Sequence, residues 1–280
     1  MPLPLGLAGR RFGPLHWEAT PRRILAYRAA MSPADADGLD DSRTPFLALP
    51  TQVATPEWLL TVDMLDQLKA VLPPEEAARG VHASQDTVFF SPIVAGDMVE
   101  TEAEILGVHP TRRGAVLASL VTTKRARDKT ILSRTMAATV YRDVAAKEEG
   151  EVPSPPPVDD LAAAPVQAEI ALDHGFAHIY SECAEIWNPI HTERRAARAA
   201  GLPDIIVHGT ALWAKAGLAL IAGGKNERRL RRLTARFISP VFAGEAAILR
   251  AYARSETTPY TLSTPKGVIA VAGRAEFEAA

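Results

Sequence analysis

The sequence predicts an α+β protein in which two similar units follow one another, each with a long helix and an antiparallel sheet. The first observation is a repeated turn: residues 91–97 (SPIVAGD) return as residues 239–245 (SPVFAGE), 148 positions later. Each copy follows an aromatic strand end, Phe90 or Phe237, and leads into segments of alternating polarity. The second observation is an acidic, proline-rich break between the copies at Lys147–Pro165. Repetition on both sides of such a break indicates tandem units.

The first unit is predicted to contain two helices and four strands. Thr20 followed by Pro21 is an N-cap and first-turn proline for a helix over residues 22–31. Thr55 and Pro56 repeat that signal, and apolar residues then recur at helical spacing as far as Leu72, which predicts a second, longer helix. Alternation and intervening turn residues predict the strands His82–Phe90, Met98–Val108, Ala115–Arg125 and Thr130–Arg142.

The break is interpreted as a stiff, solvated linker or a strap that crosses the surface. We therefore expect an N-terminal unit over residues 1–145, a linker over 146–165 and a C-terminal unit over 166–280. The same strand signals as in the first unit recur in the last one. The predicted strands there are Val166–Leu172, Leu233–Ile238, Ala247–Arg254, Thr258–Thr264 and Val268–Phe277.

Composition excludes several classes of function. A chain of 280 residues with 47% hydrophobic and 23% charged residues is globular, and its net charge of −2 gives no basis for binding nucleic acid or an anionic membrane. No run of about 20 apolar residues predicts a membrane span. The single cysteine, Cys183, excludes an internal disulfide framework and predicts a cytoplasmic protein with an inert, packed thiol rather than a thiol nucleophile. Without a Cys/His cluster, a Walker loop or a dinucleotide fingerprint, we expect neither a metal nor another cofactor.

The residues with the clearest chemical content lie in the second unit. Residues 184–191 (Ala-Glu-Ile-Trp-Asn-Pro-Ile-His) precede an Ala- and Arg-rich segment, 192–200, which predicts a short helix that ends at Gly201. His208, Gly209 and Thr210 then open an apolar helix that runs to Ile221 and is expected to be buried. A helix start with glycine lets a ligand approach the backbone, and its free N–H groups can hold an oxyanion.

This pattern is similar to the hydratase motif of the MaoC-like, R-specific enoyl-CoA hydratases, in which Asp-x-Asn-Pro-(Ile/Leu)-His is followed by a short helix ending at Gly and by His-Gly at the central helix. The resemblance implies a double hot-dog fold whose two sheets join edge to edge. It implies a lyase of fatty acid metabolism that adds water reversibly to a 2-enoyl thioester of CoA or of an acyl-carrier protein, and it leaves a homodimer open. The matching residues are Asn188, Pro189, Ile190, His191, Gly201, His208 and Gly209.

Each site residue also has a structural interpretation. His191 is the candidate general acid/base, because imidazole exchanges protons near neutral pH. Asn188 positions a water or the thioester carbonyl, or it only caps a turn. Gly209 and Thr210 supply an oxyanion N–H, or they only begin a helix. His208 contacts the substrate or packs, and Ile186 and Trp187 are expected to line the site.

One position departs from the family pattern. The family's Ser-Gly-Asp reads Ala184, Glu185, Ile186 here, so the Asp that works with the His on the catalytic water is absent. Glu182 and Glu185 are the nearby candidates to replace it; in an extended segment Glu182 would share the side of Ile186 and Glu185 would face away. Three hypotheses follow: a hydratase or dehydratase, a non-catalytic protein that binds acyl thioesters or serves as a scaffolding subunit, and a thioesterase.

Two groups of arginines are the remaining candidates for ligand contacts. They are either solvated helix faces or a docking site for the phosphates of CoA. The groups are Arg194, Arg195 and Arg198, and Arg228, Arg229, Arg231 and Arg232.

Overall fold

The computed structural model describes residues 2–222, 230–252 and 257–278, and these residues form two helix-and-sheet units joined in one sheet. Arg228, Arg229 and Arg254, which enter the predictions above, lie outside the described residues. The helices are α1 (Pro21–Met31), α2 (Ala54–Leu68), α3 (Pro74–Ala77), α4 (Phe176–Cys183), α5 (Arg194–Ala199) and α6 (Gly209–Ala222). Two 3-10 helices cover Pro50–Val53 and Pro189–His191.

The strands of the first half are β1 (Arg11–Glu18), β2 (Gly80–Phe89), β3 (Met98–Thr111), β4 (Gly114–Arg125), β5 (Ile131–Arg142) and β6 (Glu149–Gly150). The strands of the second half are β7 (Val166–Ala171), β8 (Leu230–Phe237), β9 (Ala246–Ala251), β10 (Thr257–Ser263) and β11 (Ile269–Phe277). They form one sheet in the order β1-β3-β4-β5-β2-β8-β11-β10-β9-β7, with β6 paired to β3.

The halves join where β2 pairs antiparallel with β8, with Gln85 opposite Ala235 and Thr87 opposite Leu233. On either side of this pair the strand order is mirrored, so β5 corresponds to β11, β4 to β10, β3 to β9 and β1 to β7. The sheet order therefore has an approximate two-fold symmetry whose axis passes between β2 and β8. The expected edge-to-edge sheet, with helices packed on it, is present.

The repeated turn makes equivalent hydrogen bonds in both halves. The backbone N–H of Val94 donates to the Asp97 carboxylate at 3.0 Å, and that of Phe242 donates to the Glu245 carboxylate at 3.1 Å. The glycine in each copy has a φ of +88°, a conformation that favours glycine. The acidic residue thus stabilises the turn, and the glycine permits its backbone.

The same symmetry aligns the segments that precede the central helices. Leu47 bridges Val94, and Ile206 bridges Phe242. The next residue in each half, Ala48 or Val207, donates its N–H to the repeated turn at 3.0 and 2.8 Å. Counting forward from these bonds, Leu49 corresponds to His208 and Pro50 corresponds to Gly209.

The predicted helices and strands exist with shifted ends, and one capping prediction was wrong. The capping prediction for Thr55 was wrong because the 3-10 helix Pro50–Val53 runs directly into α2; the Thr55 hydroxyl instead donates to the Ala184 carbonyl at 2.8 Å. The short helix spans only Arg194–Ala199, with Glu193 as its N-cap. The condition under which Glu182 would share the side of Ile186, an extended segment, is not met, because Phe176–Cys183 is helical. Strand β1 was not predicted.

The proline-rich segment is a strap held at both ends. Gly150 pairs with Gly107 of β3, while the Asp159 carboxylate forms a bidentate ion pair with Arg274 of β11 at 2.9 and 3.0 Å. Leu161 is 4% exposed. The unit boundaries at 145 and 166 stay a prediction. No helix within the described ranges is long and apolar enough to cross a bilayer.

Candidate active site

His191 lies at the end of the 3-10 helix Pro189–His191, whose N-cap is Asn188. The Asn188 side chain accepts a hydrogen bond from the N–H of Ile190 at 3.3 Å, so this residue caps the turn. The His191 Nδ1 lies 2.8 Å from the carbonyl oxygen of Ile206. Because a carbonyl only accepts, Nδ1 carries the proton and Nε2 carries a lone pair in the neutral ring. Desolvation lowers the pKa of His191 to about 4, against a smaller raising effect of the Ile206 carbonyl, so the ring is a neutral base near pH 7.

His208 is stacked on His191, with ring centroids 3.7 Å apart and planes inclined by 25°. Its Nε2 lies 3.2 Å from the Ile186 carbonyl and 3.1 Å from the Ser181 hydroxyl. The carbonyl fixes the proton on Nε2, which makes Nδ1 an acceptor. The His208 residue is 1% exposed, and Nδ1 has no hydrogen-bond partner among the described residues. A buried acceptor without a hydrogen-bond partner costs the folded state roughly 1–3 kcal/mol of stability. Burial also lowers the pKa of His208 well below its usual value, and the neighbouring His191 adds to this shift.

The start of α6 presents Gly209 beside these rings. A Cβ on Gly209 would lie 3.0 Å from two carbons of the Phe237 ring, so the ring rests against the glycine backbone. His82, from strand β2 of the first half, packs on Phe237 with ring centroids 4.8 Å apart. The Thr210 hydroxyl accepts from the Tyr180 hydroxyl at 3.2 Å. Only a small residue at 209 keeps this close approach of ring and helix start.

Ile186 and Trp187 occupy opposite environments. Ile186 is 3% exposed and belongs to the hydrophobic core, whereas Trp187 is 51% exposed. The side chain at the position of the family Asp is therefore apolar and buried. Ile186 interacts with His208 through its backbone carbonyl, which accepts a hydrogen bond from His208 Nε2.

The two candidate glutamates have different surroundings in the structure. Glu182 is on helix α4 and exposed, so the argument from an extended segment does not apply to it. Glu185 has a φ of +55°, and its carboxylate makes a bidentate ion pair with Arg23 of α1, at 2.8 Å to Nε and 3.3 Å to Nη2. Its backbone conformation and ion pair hold it against the first half.

Sequence reasoning missed four residues of this site: Tyr180, Ser181, Phe237 and His82. Tyr180 packs edge-on against His208 at 4.9 Å, and Ser181 bonds it. A helical reading of Phe176–Cys183 would have placed both on one element. Phe237 was noticed only as a strand end, and His82 carried no local signal because its role depends on β2 pairing with β8.

The first half contains a counterpart of this site without its chemistry. Leu49 stands in the place of His208, and Pro50, which has no N–H, stands in the place of Gly209. The carbonyl of Leu47, equivalent to that of Ile206, accepts from Arg28 Nε at 3.0 Å instead of from an imidazole. The first half therefore lacks counterparts of His208 and of the Gly209 N–H at these places.

Arg194, Arg232 and Cys183, which were also candidates for ligand contacts or chemistry, have local partners or surroundings that the structure shows. Arg194 pairs with Asp204 at 2.9 Å, and Arg232 pairs with Asp86 at 2.6 Å and with Glu276 at 3.2 Å, so these arginines are neutralised locally. Burial and the neighbouring Glu182 raise the pKa of the Cys183 thiol, which keeps it protonated. Over the described ranges, no group of three or more His, Cys, Asp or Glu side chains is arranged to hold a metal ion.

The helices wrapped by one continuous, symmetric sheet define a double hot-dog protein. Its overall structure is similar to that of a Mycobacterium tuberculosis protein described as having a double hotdog fold, with 13% identity, 96% of each chain covered and a TM-score of 0.60. Residues 166–258 match the family model of the MaoC-like domain. The matched segment lies in the C-terminal half of the chain and contains His191 and His208.

Two further solved structures show the same fold. A MaoC-like dehydratase from Phytophthora capsici is 16% identical, with 99% of this chain and 98% of that chain covered and a TM-score of 0.81. The full-length peroxisomal multifunctional enzyme type 2 from Drosophila melanogaster is 17% identical, with a TM-score of 0.76; the match covers 94% of this chain and 47% of that longer chain. No curated protein matches the chain by sequence.

Proposed function

We propose that the protein is an acyl-thioester hydratase or dehydratase, which adds water reversibly across the double bond of a 2-enoyl thioester. The observation that carries the proposal is His191: a neutral imidazole, fixed through Nδ1 and carrying its lone pair on Nε2, within a MaoC-like domain and close to the start of a buried helix. Such a nitrogen takes a proton from water and returns it to carbon.

The reaction uses two parts of the site, the His191 imidazole and the start of helix α6. His191 Nε2 accepts a proton as the water oxygen bonds to C3, and the resulting imidazolium donates that proton to C2. Negative charge develops on the thioester oxygen during the first step, and the N–H groups at the start of α6, at Gly209 and Thr210, are the donors for it. Asn188 stays a structural cap in this scheme, because its side-chain oxygen already accepts from Ile190.

The substrate class follows from the same family resemblance. Acyl-CoA or acyl-carrier-protein thioesters of the 2-enoyl type are the proposed substrates, with a cytoplasmic location and a homodimer as further expectations. The symmetric sheet already joins two units within one chain, so a dimer is not required to assemble the site from two halves.

The test is a panel of 2-enoyl-CoA thioesters, from crotonyl-CoA to longer and branched chains, incubated with the purified protein. Hydration removes the absorbance of the conjugated thioester without releasing thiol, which a thiol-reactive dye reports separately. We expect loss of absorbance with no free thiol.

Release of thiol would instead establish a thioesterase. Binding of acyl-CoA without turnover across the panel would favour the non-catalytic interpretation, which is motivated by Ile186 in place of the family Asp.

A further inference from the structure

The family pair of Asp and His needs a second acceptor for the catalytic water, and the buried Ile186 side chain cannot supply one. Water has two hydrogens, so two acceptors fix its orientation while its oxygen lone pair faces carbon. Glu182 is exposed on α4, and Glu185 is engaged by Arg23. The acceptor must therefore be sought among other groups beside His191.

His208 has the required atom. Its Nε2–H is directed at the Ile186 carbonyl and the Ser181 hydroxyl, so its other nitrogen, Nδ1, carries a lone pair. That nitrogen has no partner among the described residues, and it belongs to the ring stacked 3.7 Å from His191. The neighbouring rings thus provide two unprotonated nitrogens, Nε2 of His191 and Nδ1 of His208.

We propose that His208 replaces the family Asp as the second holder of the catalytic water. This inference rests on the proposed function. One water hydrogen is donated to His191 Nε2 and the other to His208 Nδ1. As the C3–O bond forms, the O–H bond to His191 breaks, the π electrons move to the thioester enolate, and the imidazolium of His191 then protonates C2. His208 stays neutral throughout, and its Nδ1 accepts a hydrogen bond from the O–H that remains on the product oxygen until the product leaves.

The arrangement also explains why the backbone carbonyl of Ile186 points at His208. The residue that lost the carboxylate now orients the imidazole that takes over its task, because the carbonyl selects the tautomer with a free Nδ1. That nitrogen is buried, so water reaches it only when a neighbouring side chain shifts. His191 is partly buried and sits on a three-residue 3-10 helix.

The first half supplies the variant that tests this role. Leu49 occupies the place of His208 in the same backbone frame, so His208→Leu copies a residue that the fold already accommodates there. We expect His208→Leu to lower kcat for enoyl-CoA hydration by about 30-fold, less than the roughly 10²–10⁴-fold effect of a group that transfers the proton, because His208 only orients the water. KM should change much less. Thermal unfolding checks the fold, and His109→Leu, on strand β3, is the matched control with wild-type kcat.

The decisive variant restores the carboxylate. Ile186→Asp in the His208→Leu background should raise kcat at least about tenfold over His208→Leu alone, because Asp resumes the task that His208 performs. A structural role for His208 predicts no such recovery. Nitrogen NMR of the imidazoles at neutral pH gives a second readout: His208 should be the tautomer with its proton on Nε2 and a bare Nδ1.

Four results would overturn the inference. They are wild-type kcat in His208→Leu, lost activity that Ile186→Asp does not restore, a proton on His208 Nδ1, and a wild-type protein without hydratase activity. The last alone also removes the proposed function, whereas the first three leave it intact if the wild type hydrates.

Discussion

At the scale of single residues, the site depends on two imidazoles kept neutral by burial. Desolvation lowers the pKa of His191 to about 4, and desolvation together with His191 lowers the pKa of His208 well below its usual value. In the unfolded chain both titrate at their usual value of about 6.5. Above that pH, these two histidines therefore do not change the free energy of unfolding. As the pH falls from about 6.5 toward 4, they reduce it, since only the unfolded state then gains protons.

The depressed pKa gives a kinetic prediction. The kcat/KM for enoyl-CoA hydration reports the ionisation of the free enzyme's base. Its acidic limb should fall near pH 4 rather than near 6.5, provided the protein is still folded by circular dichroism at each pH. A limb at the ordinary histidine pKa would show that His191 is solvated in the working enzyme.

Gly209 gives the second residue-scale prediction. A methyl group at this position meets the Phe237 ring at 3.0 Å, so Gly209→Ala must displace either the ring or the first turn of α6. We expect kcat to fall about tenfold as the oxyanion donors shift, an effect smaller than complete loss of a donor. Phe237→Leu in the same chain should recover part of the loss; if it does not, the ring contact is not the cause.

At the scale of elements, the residues of α2 and β5 form a polar layer inside the N-terminal half. Glu57 of α2 accepts from the Thr135 hydroxyl of β5 at 2.5 Å, and Thr135 bonds Thr87 of β2 at 2.9 Å. Burial raises the pKa of Glu57 to about 8, only partly offset by that hydrogen bond, so the carboxyl is protonated near neutral pH. Its contribution to stability is complete below the unfolded pKa of about 4.5 and is lost as pH rises through about 8.

Glu57→Gln should remove that dependence, because the amide keeps the size and the acceptor oxygen but does not ionise. Relative to wild type, the variant should gain on the order of 1–3 kcal/mol in free energy of unfolding between pH 5 and pH 8.5. Chemical denaturation at both pH values measures the difference. Equal pH dependence in both proteins would mean that Glu57 is ionised in the fold.

The elements also show how far sequence reasoning reached. Helix α6 and the repeated turn were predictable because apolar residues and a Pro/Gly pattern mark them locally. Helix α4 was not predicted, because eight residues leave too little periodicity to read. That omission concealed Ser181 and Tyr180 and left the placement of Glu182 conditional. His191, His208 and Gly209 were identified through their motif, and the structure brings them together.

At the scale of the whole molecule, the first half supports the segment that carries the motif. Thr55 of α2 bonds the Ala184 carbonyl, and Arg23 of α1 holds Glu185. Tyr27 and Tyr180 face one another with ring centroids 6.1 Å apart. The hydroxyl of Tyr27 donates to Thr51 and that of Tyr180 donates to Thr210, and these two threonines hold equivalent places at the start of the central helical segment of each half. Such contacts between distant parts of the chain have no local sequence signature, so only the family resemblance predicted that the halves join.

Breaking one of these supports tests the coupling. Glu185→Gln removes a partly buried, bidentate ion pair with Arg23. We expect the free energy of unfolding to fall by about 1–2 kcal/mol, which is more than an exposed ion pair usually contributes because this pair is partly buried. Asp204→Asn, which breaks the exposed pair with Arg194, is the control and should change stability by less than about 0.5 kcal/mol. Equal effects of the two variants would show that Arg23 does not anchor the motif segment.

The most direct test of the proposed chemistry compares wild type with His191→Ala on the best 2-enoyl-CoA of the panel, with both proteins verified as folded. We predict that the wild type hydrates the thioester and that His191→Ala lowers kcat at least about 100-fold, because His191 Nε2 is the group that takes the proton from water and returns it to C2. Hydration by His191→Ala at the wild-type rate would contradict the account.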